Sequence, residues 1–294
     1  MHRLGTIGFV YDDWTGVFYP PKVKAERRLE LYARQFNTVE IDTTFHAIPP
    51  RDRVRRWEAV TPADFTFSVK APRDITHEGL VGAESTNTMT RTFLDTMRLL
   101  GDKLGVVLLQ FPPSFVSARR DDLLRLLDVL AEPEYRGLRY AIELRHDSWW
   151  SDATVQLLRQ RNLAWAGSDQ PTPEVAGVSP ADTAAGGGIR APRPLIVTTD
   201  FLFIRWVGNH GQFPSNAEQF VDPTPRLAWW VDQLRPITRD SPGGGKASPI
   251  REVFGYCGNS YAGHAPATCR TLMELLGLPL PEPLDVDESQ GSLF

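Results

Sequence analysis

The runs VEID (39–42) and AIELRH (141–146) carry charged residues at alternate positions. In extended backbone alternate side chains share a face, so Glu40 lies with Asp42, and Glu143 with Arg145, opposite the aliphatic Ile142 and Leu144. Aliphatic residues can pack against helices, which turns the charged set toward a common mouth. The same alternation selects Lys70, Gln110, Asp169, Arg205 and Asn259 as the polar positions of their own runs. Brought together, Glu40, Asp42, Glu143 and Asp169 would oppose Lys70, Arg145 and Arg205. A lysine with two arginines suits a phosphate or a carboxylate. These three, with Gln110 and Asn259, are therefore the candidate anion and substrate binders. Glu143 or Asp169 would act as base or metal ligand and His146 or His77 as proton donor, with Glu40 beside them. Tyr11, Trp14, Trp149 and Trp206, together with Trp150, would supply aromatic walls. The plain alternative is an ion-pair network that satisfies itself, because a buried charge left alone is strongly unfavourable.

Such a constellation needs strands to hold it. Eight runs rich in Val, Ile, Phe and Tyr recur along the chain, at 6–11, 38–45, 65–71, 106–111, 139–146, 163–169, 201–207 and 252–257. Pro, Gly or polar residues bound each run, the mark of a strand. Between them, TRTFLDTMRLLGDKL (90–104) and RRDDLLRLLDVLAE (119–132) space their apolar residues near the helical period. Further helices are expected after Pro20–Pro21, Ser151, Pro223–Pro225 and Pro266, where proline or a capping hydroxyl suits a first turn. Eight strand-then-helix units predict an α/β protein, a TIM (β/α)8 barrel, with its chemistry at the C-terminal ends of the strands. Five of the six histidines (His46, His77, His146, His210 and His264) fall in or just after those ends. Residues 171–199 hold five prolines and a triple glycine with little helical periodicity, so a loop is expected in place of helix six. DSPGGGK (240–246) reads as a second surface turn. The barrel domain is expected over 1–278 and an acidic, flexible tail over 279–294.

Composition narrows the function classes. Of 36 acids, four lie beyond Pro279 with no base among them, so 32 remain against 32 bases in the body. A neutral body carries no global field for nucleic acid. RDRVRR (51–56) is locally basic and reads as the solvated start of a helix. No apolar run approaches the roughly 18 residues of a membrane span, and the N-terminus lacks a signal peptide's apolar stretch. Cys257 and Cys269 form no C-x-x-C pair and read as reduced thiols of a cytoplasmic protein. No H-x-H, H-E-x-x-H or D-x-D spacing is present, so a divalent metal stays open without a motif to carry it. G-x-S-x-G, P-loop and G-x-G-x-x-G patterns are absent too, and no cofactor is indicated.

GTIGFVYDDWTGVFYP, VEIDTTFHAIPP, TPADFTFSVKAPRDITH, LGVVLLQFPPSF, YAIELRHDSWW and FLFIRWVG occur in the order that resembles the YecE-like family, domain of unknown function 72. The likeness covers about residues 5–278 and implies a TIM barrel; it implies no settled activity. Matching positions include Tyr11, Trp14, Glu40, Thr44, Phe45, Lys70, Pro72, His77, Gln110, Glu143, Arg145, His146, Trp149, Asp169 and Arg205. Two positions depart from the resembled pattern. Val207 precedes Gly208 where a His-Gly pair is usual, and Gly258 precedes Asn259 where two asparagines are common.

Three functions fit these residues. One is an enzyme acting on a phosphodiester or another anionic substrate, with nucleic acid and DNA repair within its range. The second is a carbohydrate-active hydrolase or isomerase, and the third a non-catalytic barrel that binds a nucleotide or small anion. The tail adds a separate signal. QGSLF (290–294) resembles the peptide by which bacterial replication and repair proteins engage the DNA sliding clamp. Gln290 would hydrogen-bond and Leu293 and Phe294 would fill an apolar pocket, while Gly291 departs from the large residue often found there.

Overall fold

The computed structural model describes residues 1–78, 80–171, 179, 193–238 and 250–284. Among them are nine strands: β1 His2–Thr6, β2 Thr38–Ile41, β3 Thr66–Lys70, β4 Leu104–Phe111, β5 Arg139–Leu144, β6 Ala164–Trp165, β7 Gly167–Asp169, β8 Phe201–Trp206 and β9 Glu252–Cys257. They form one sheet in the order β2-β3-β4-β5-β6 and another in the order β1-β9-β8-β7. Pairing is parallel from β3 through β6, between β7 and β8, and between the first strand and the last. The run expected as strand six, 163–169, is interrupted at Ala166 and becomes β6 and β7, one in each sheet. The chain also divides there into two compact units. The first comprises Met1–Val39, Gly167–Leu195 and Ile204–Phe294, and the second Glu40–Ala166 and Ile196–Phe203.

β4 illustrates why these strands form. All eight residues of LGVVLLQF are buried, as a parallel strand covered on both faces requires. Its pairing with β5 sets Val106 opposite Arg139 and therefore Gln110 opposite Glu143. Helix Arg120–Leu130 buries Leu123, Leu126, Leu127 and Leu130, as its spacing predicts. Ser151 opens helix Asp152–Gln160 by accepting the Thr154 amide hydrogen at 3.3 Å. Helix Ala265–Leu275 carries Pro266 in its first turn.

Two expected elements move. Helix Glu84–Met97 starts six residues before the run that shows its periodicity. Its early turns are threonine-rich, and Thr90 Oγ1 and Thr96 Oγ1 donate to the carbonyls four residues back at 2.8 Å each. Hydroxyls satisfied in that way can be buried without an apolar signal. Strand one is expected at 6–11 but lies at His2–Thr6. The apolar run beyond it packs a loop instead, where Trp14 and Tyr19 are fully buried and the Tyr11 hydroxyl donates to the Ile7 carbonyl at 2.8 Å.

The loop expected in place of helix six falls largely on 172–178 and 180–192, and the turn at 240–246 likewise lies outside the described residues. QGSLF does too. The first part of the tail, 279–284, has no regular structure. It is nevertheless held, because Gln35 Nε2 donates to the Glu282 carbonyl at 2.8 Å and Arg270 Nη1 to that of Pro281 at 3.3 Å.

Candidate functional site

In the second unit, β3 ends at Lys70, β4 at Phe111 and β5 at Leu144, with Arg145 following directly. The β4–β5 register makes the centre of the site. Gln110 Nε2 donates to Glu143 Oε2 at 2.9 Å, and Arg145 Nε donates to Glu143 Oε1 at 2.8 Å. Glu143 is 3% exposed, and these two donors help make a buried carboxylate tolerable. The Arg145 side chain is 27% exposed. Only its Nε is engaged; among the described residues no acceptor meets its two terminal nitrogens. An arginine fixed at Nε with an open fork is the geometry for gripping an oxyanion.

Lys70 and His77 are positioned by the sequence that follows β3. Pro72 takes the cap position of the single turn Arg73–Thr76, which brings the chain back to His77. Thr44 Oγ1 reaches the carbonyls of Lys70 and Ile41 at 2.6 and 2.9 Å, tying the end of β3 to that of β2. The Lys70 ammonium stands over the Phe45 ring, 3.7 Å from its centre. His77 packs edge-on to the same ring at 4.9 Å, and its Nδ1 hydrogen-bonds the Thr76 hydroxyl at 2.7 Å. Burial pushes the His77 imidazole down to about 4; the charges of Lys70, Arg145 and Arg73 push the same way, while Glu143 opposes them. At neutral pH this imidazole is therefore uncharged between cations. An anion bound there would cancel their field and raise its basicity.

The remaining expected residues of this unit behave differently. Glu40 is fully buried on β2. His146 caps its own turn, its Nδ1 accepting the Ser148 amide hydrogen at 3.1 Å, which leaves the proton on Nε2. Trp149 is a core side chain, not a wall: it is 1% exposed, its Nε1 donates to the Phe115 carbonyl at 2.6 Å, and its ring stacks on that of Phe115.

The first unit holds the other half of the expected set. Asp169 ends β7 and accepts from Arg226 Nε at 2.8 Å and Nη2 at 2.6 Å, from Trp230 Nε1 at 2.8 Å and from the Tyr261 hydroxyl at 2.9 Å. The expectation of a catalytic base at Asp169 thus gives way to an anchor, since four donors occupy a carboxylate that is 1% exposed. Trp206 and Trp14 are likewise fully buried core residues. Trp14 Nε1 donates to Asn259 Oδ1 at 3.2 Å and the Ala265 amide to the same oxygen at 3.0 Å, which fixes the amide's orientation. Asn259 Nδ2 is left buried with no partner among the described residues. Tyr11 lies against Trp14, ring centres 4.8 Å apart, and Arg205 is 3% exposed on β8, opposite Ser168.

The two departures noted in the sequence are neighbours here. A side-chain carbon at Gly258 would stand 3.3 Å from the Val207 carbonyl oxygen and 3.4 Å from that of Trp206. Gly208 admits no substitute: its φ is +65° and a Cβ would lie 1.7 Å from the Ser260 carbonyl oxygen.

Arg73, Thr76 and Phe45 were not singled out as site residues by sequence reasoning. Phe45 and Arg73 sit inside the motifs VEIDTTFH and KAPRDITH, the available signal for them. Among the described residues no three His, Cys, Asp or Glu side chains are grouped to hold a metal ion.

Parallel strands alternating with helices, the first paired with the last and charged side chains at the strands' C-terminal ends, define an α/β protein of the TIM-barrel class. The chain belongs to the DUF72 family: the model described as "Protein of unknown function DUF72" matches residues 3–290. The UPF0759 protein YecE of Escherichia coli O157:H7 is 28% identical over 215 residues, covering 71% of this chain and 76% of that protein. The UPF0759 protein YunF of Bacillus subtilis (strain 168) is 29% identical over 161 residues, 52% of this chain and 56% of the relative. A DUF72 family protein from Thermotoga maritima superposes with a TM-score of 0.72 at 24% identity, covering 94% of this chain and 99% of the other. No helix among the described residues is long and apolar enough to cross a membrane.

Proposed function

We propose that the chain is an enzyme acting on an anionic substrate, a phosphodiester or related ester, at the site formed by Lys70, His77, Gln110, Glu143 and Arg145. The observation that carries this reading is the open fork of Arg145, held by buried Glu143 in a field that keeps His77 uncharged. Lys70 and Arg145 bind the anion. Its charge offsets theirs, the His77 imidazole gains basicity and takes a proton from the attacking water or hydroxyl, and as the ester P–O bond breaks the imidazolium returns that proton to the leaving oxygen. Glu143 orients Arg145 and balances the imidazolium that forms. Nucleic acid is the polymeric form of such a substrate, and a divalent ion would add charge stabilisation at the same anion.

The test is thermal shift and turnover against a panel of inorganic phosphate, phosphate monoesters, dinucleotides, aryl glycosides and free sugars, with and without magnesium or manganese ions. Stabilisation and cleavage confined to the phosphate compounds support the reading. Turnover of a glycoside or isomerisation of a free sugar would replace it with the carbohydrate one, and stabilisation without turnover with the binding one.

A second proposal concerns QGSLF and rests on sequence alone. Gln290, Leu293 and Phe294 engage a DNA sliding clamp, with affinity on the order of micromolar. Deleting 290–294 is expected to abolish capture by purified clamp while the melting temperature stays the same. Equal capture of the full and shortened chains would end this proposal.

A further inference from the structure

Helix Arg51–Ala59 follows the site's own loop and turns its apolar side inward: Val54 is fully buried and Trp57 is 8% exposed. Arg51, Arg53, Arg55 and Arg56 are all exposed on the rest of its surface. Asp52 pairs with Arg55 at 3.2 Å, and Glu58, the helix's other acid, pairs with Lys103 at 3.4 Å. Arg51, Arg53 and Arg56 have no acid within ion-pair distance among the described residues. Elsewhere in the same unit several arginines sit beside acids, as Arg91 does with Glu132 at 2.8 Å, Arg119 with Asp122 at 2.7 Å and Arg161 with Asp128 at 2.8 Å. Three guanidinium groups with no acid partner among the described residues, on one short helix of a body whose charges balance only as a whole, make a local basic site suited to a polyanion.

We propose that this arginine-rich helix docks a single-stranded nucleic acid and leads it to the Lys70–Arg145 site. It extends, and so rests on, the anion reading of that site. Arg51 is six residues beyond Phe45, so the two can be no more than about 20 Å apart along the chain. A short run of nucleotides spans that reach. Exposed His46, on the intervening segment, offers a ring for stacking a base. A membrane surface fits less well. A helix lying on lipid exposes apolar side chains beneath a basic face, whereas Val54 and Trp57 are here committed to the core.

The experiment uses the full chain and two probes, a labelled oligothymidylate of about twenty nucleotides and a thymidine dinucleotide. Arg51, Arg53 and Arg56 are replaced together by Gln. Affinity for the oligonucleotide is expected to fall at least roughly tenfold at low salt, and the slope of log K against log salt to shrink by about 2, three contacts at 0.7 each. Dinucleotide binding and melting temperature should be unchanged. The corresponding triple Lys variant keeps the charge and should retain most of the affinity. Oligonucleotide binding that is unaltered in the Gln variant, with the dinucleotide still bound, overturns the docking surface and leaves the site reading standing. Oligonucleotide binding that depends on the arginines, without any dinucleotide binding sensitive to Lys70→Met, supports the surface and overturns the site reading. Arginine-dependent pelleting with phosphatidylserine vesicles, without oligonucleotide binding, would make the helix a membrane contact and overturn the proposal.

Discussion

Replacing Asp169 by Ala is expected to lower the melting temperature by roughly 10 °C. Asp169 and Arg226 are each 1% exposed and joined by two hydrogen bonds, at 2.6 and 2.8 Å. Removing one partner of a buried pair leaves the other charged in an apolar setting, at a cost of about 3–5 kcal/mol. Two further donors, Trp230 Nε1 and the Tyr261 hydroxyl, lose their acceptor together with it. Arg226 Nη1 is already buried with no partner among the described residues. A chain of this size shifts its midpoint by about 2–4 °C per kcal/mol, which gives the figure above. Asp169→Asn keeps an acceptor but loses the charge, and should fall between the two. Scanning calorimetry decides: a loss below about 2 °C would mean that the Asp169 network does not anchor β7.

The second large effect is on turnover. Glu143→Gln should reduce cleavage of any phosphate ester found in the panel by at least about a hundredfold, within the range for loss of proton-transfer machinery. The variant is nearly isosteric, and its amide can still accept the hydrogen bond from Gln110. What disappears is the charge that holds Arg145 and that draws the His77 imidazole upward. With Glu143 neutral, His77 sinks further below its already low value of about 4, away from the range where it can take a proton. Ground-state anion binding depends on Lys70 and Arg145 and should change less than turnover, giving a kcat effect larger than the KM effect. Initial rates and melts on the same preparations check this. Cleavage that persists at the original rate would assign the activity to another site.

Alternation along extended backbone was enough to place Lys70, Gln110, Glu143 and Arg145 on one side, because parallel strands preserve it and the β4–β5 register then sets Gln110 against Glu143. The period-two pattern carries no information about partners far along the chain. Asp169 reads like Glu143 in sequence, yet its donors arrive from 57, 61 and 92 residues downstream, on two helices. The tryptophans misled for a related reason. Large rings beside strand ends line a cleft in one context and fill a core in another, and only burial separates the two. The strand expected at 6–11 falls beyond β1 because Ile7 and Phe9 are buried in a packed loop whose apolar content matches that of a strand. The His77 environment was hidden as well: the burial that chiefly depresses its imidazole, and Arg145 among the cations that add to it, arrive only with folding.

His77, held uncharged by burial and by the charges of Lys70, Arg145 and Arg73, is the centre of the proposed anion site. Its most direct test is the pH titration of the His77 ring carbon by NMR, in the free protein, with saturating inorganic phosphate, and in Lys70→Met. The free protein should titrate near 4, and phosphate should raise that value, as should Lys70→Met in the absence of phosphate. A ring that titrates near the ordinary 6.5 and ignores both phosphate and the substitution would contradict the anion site.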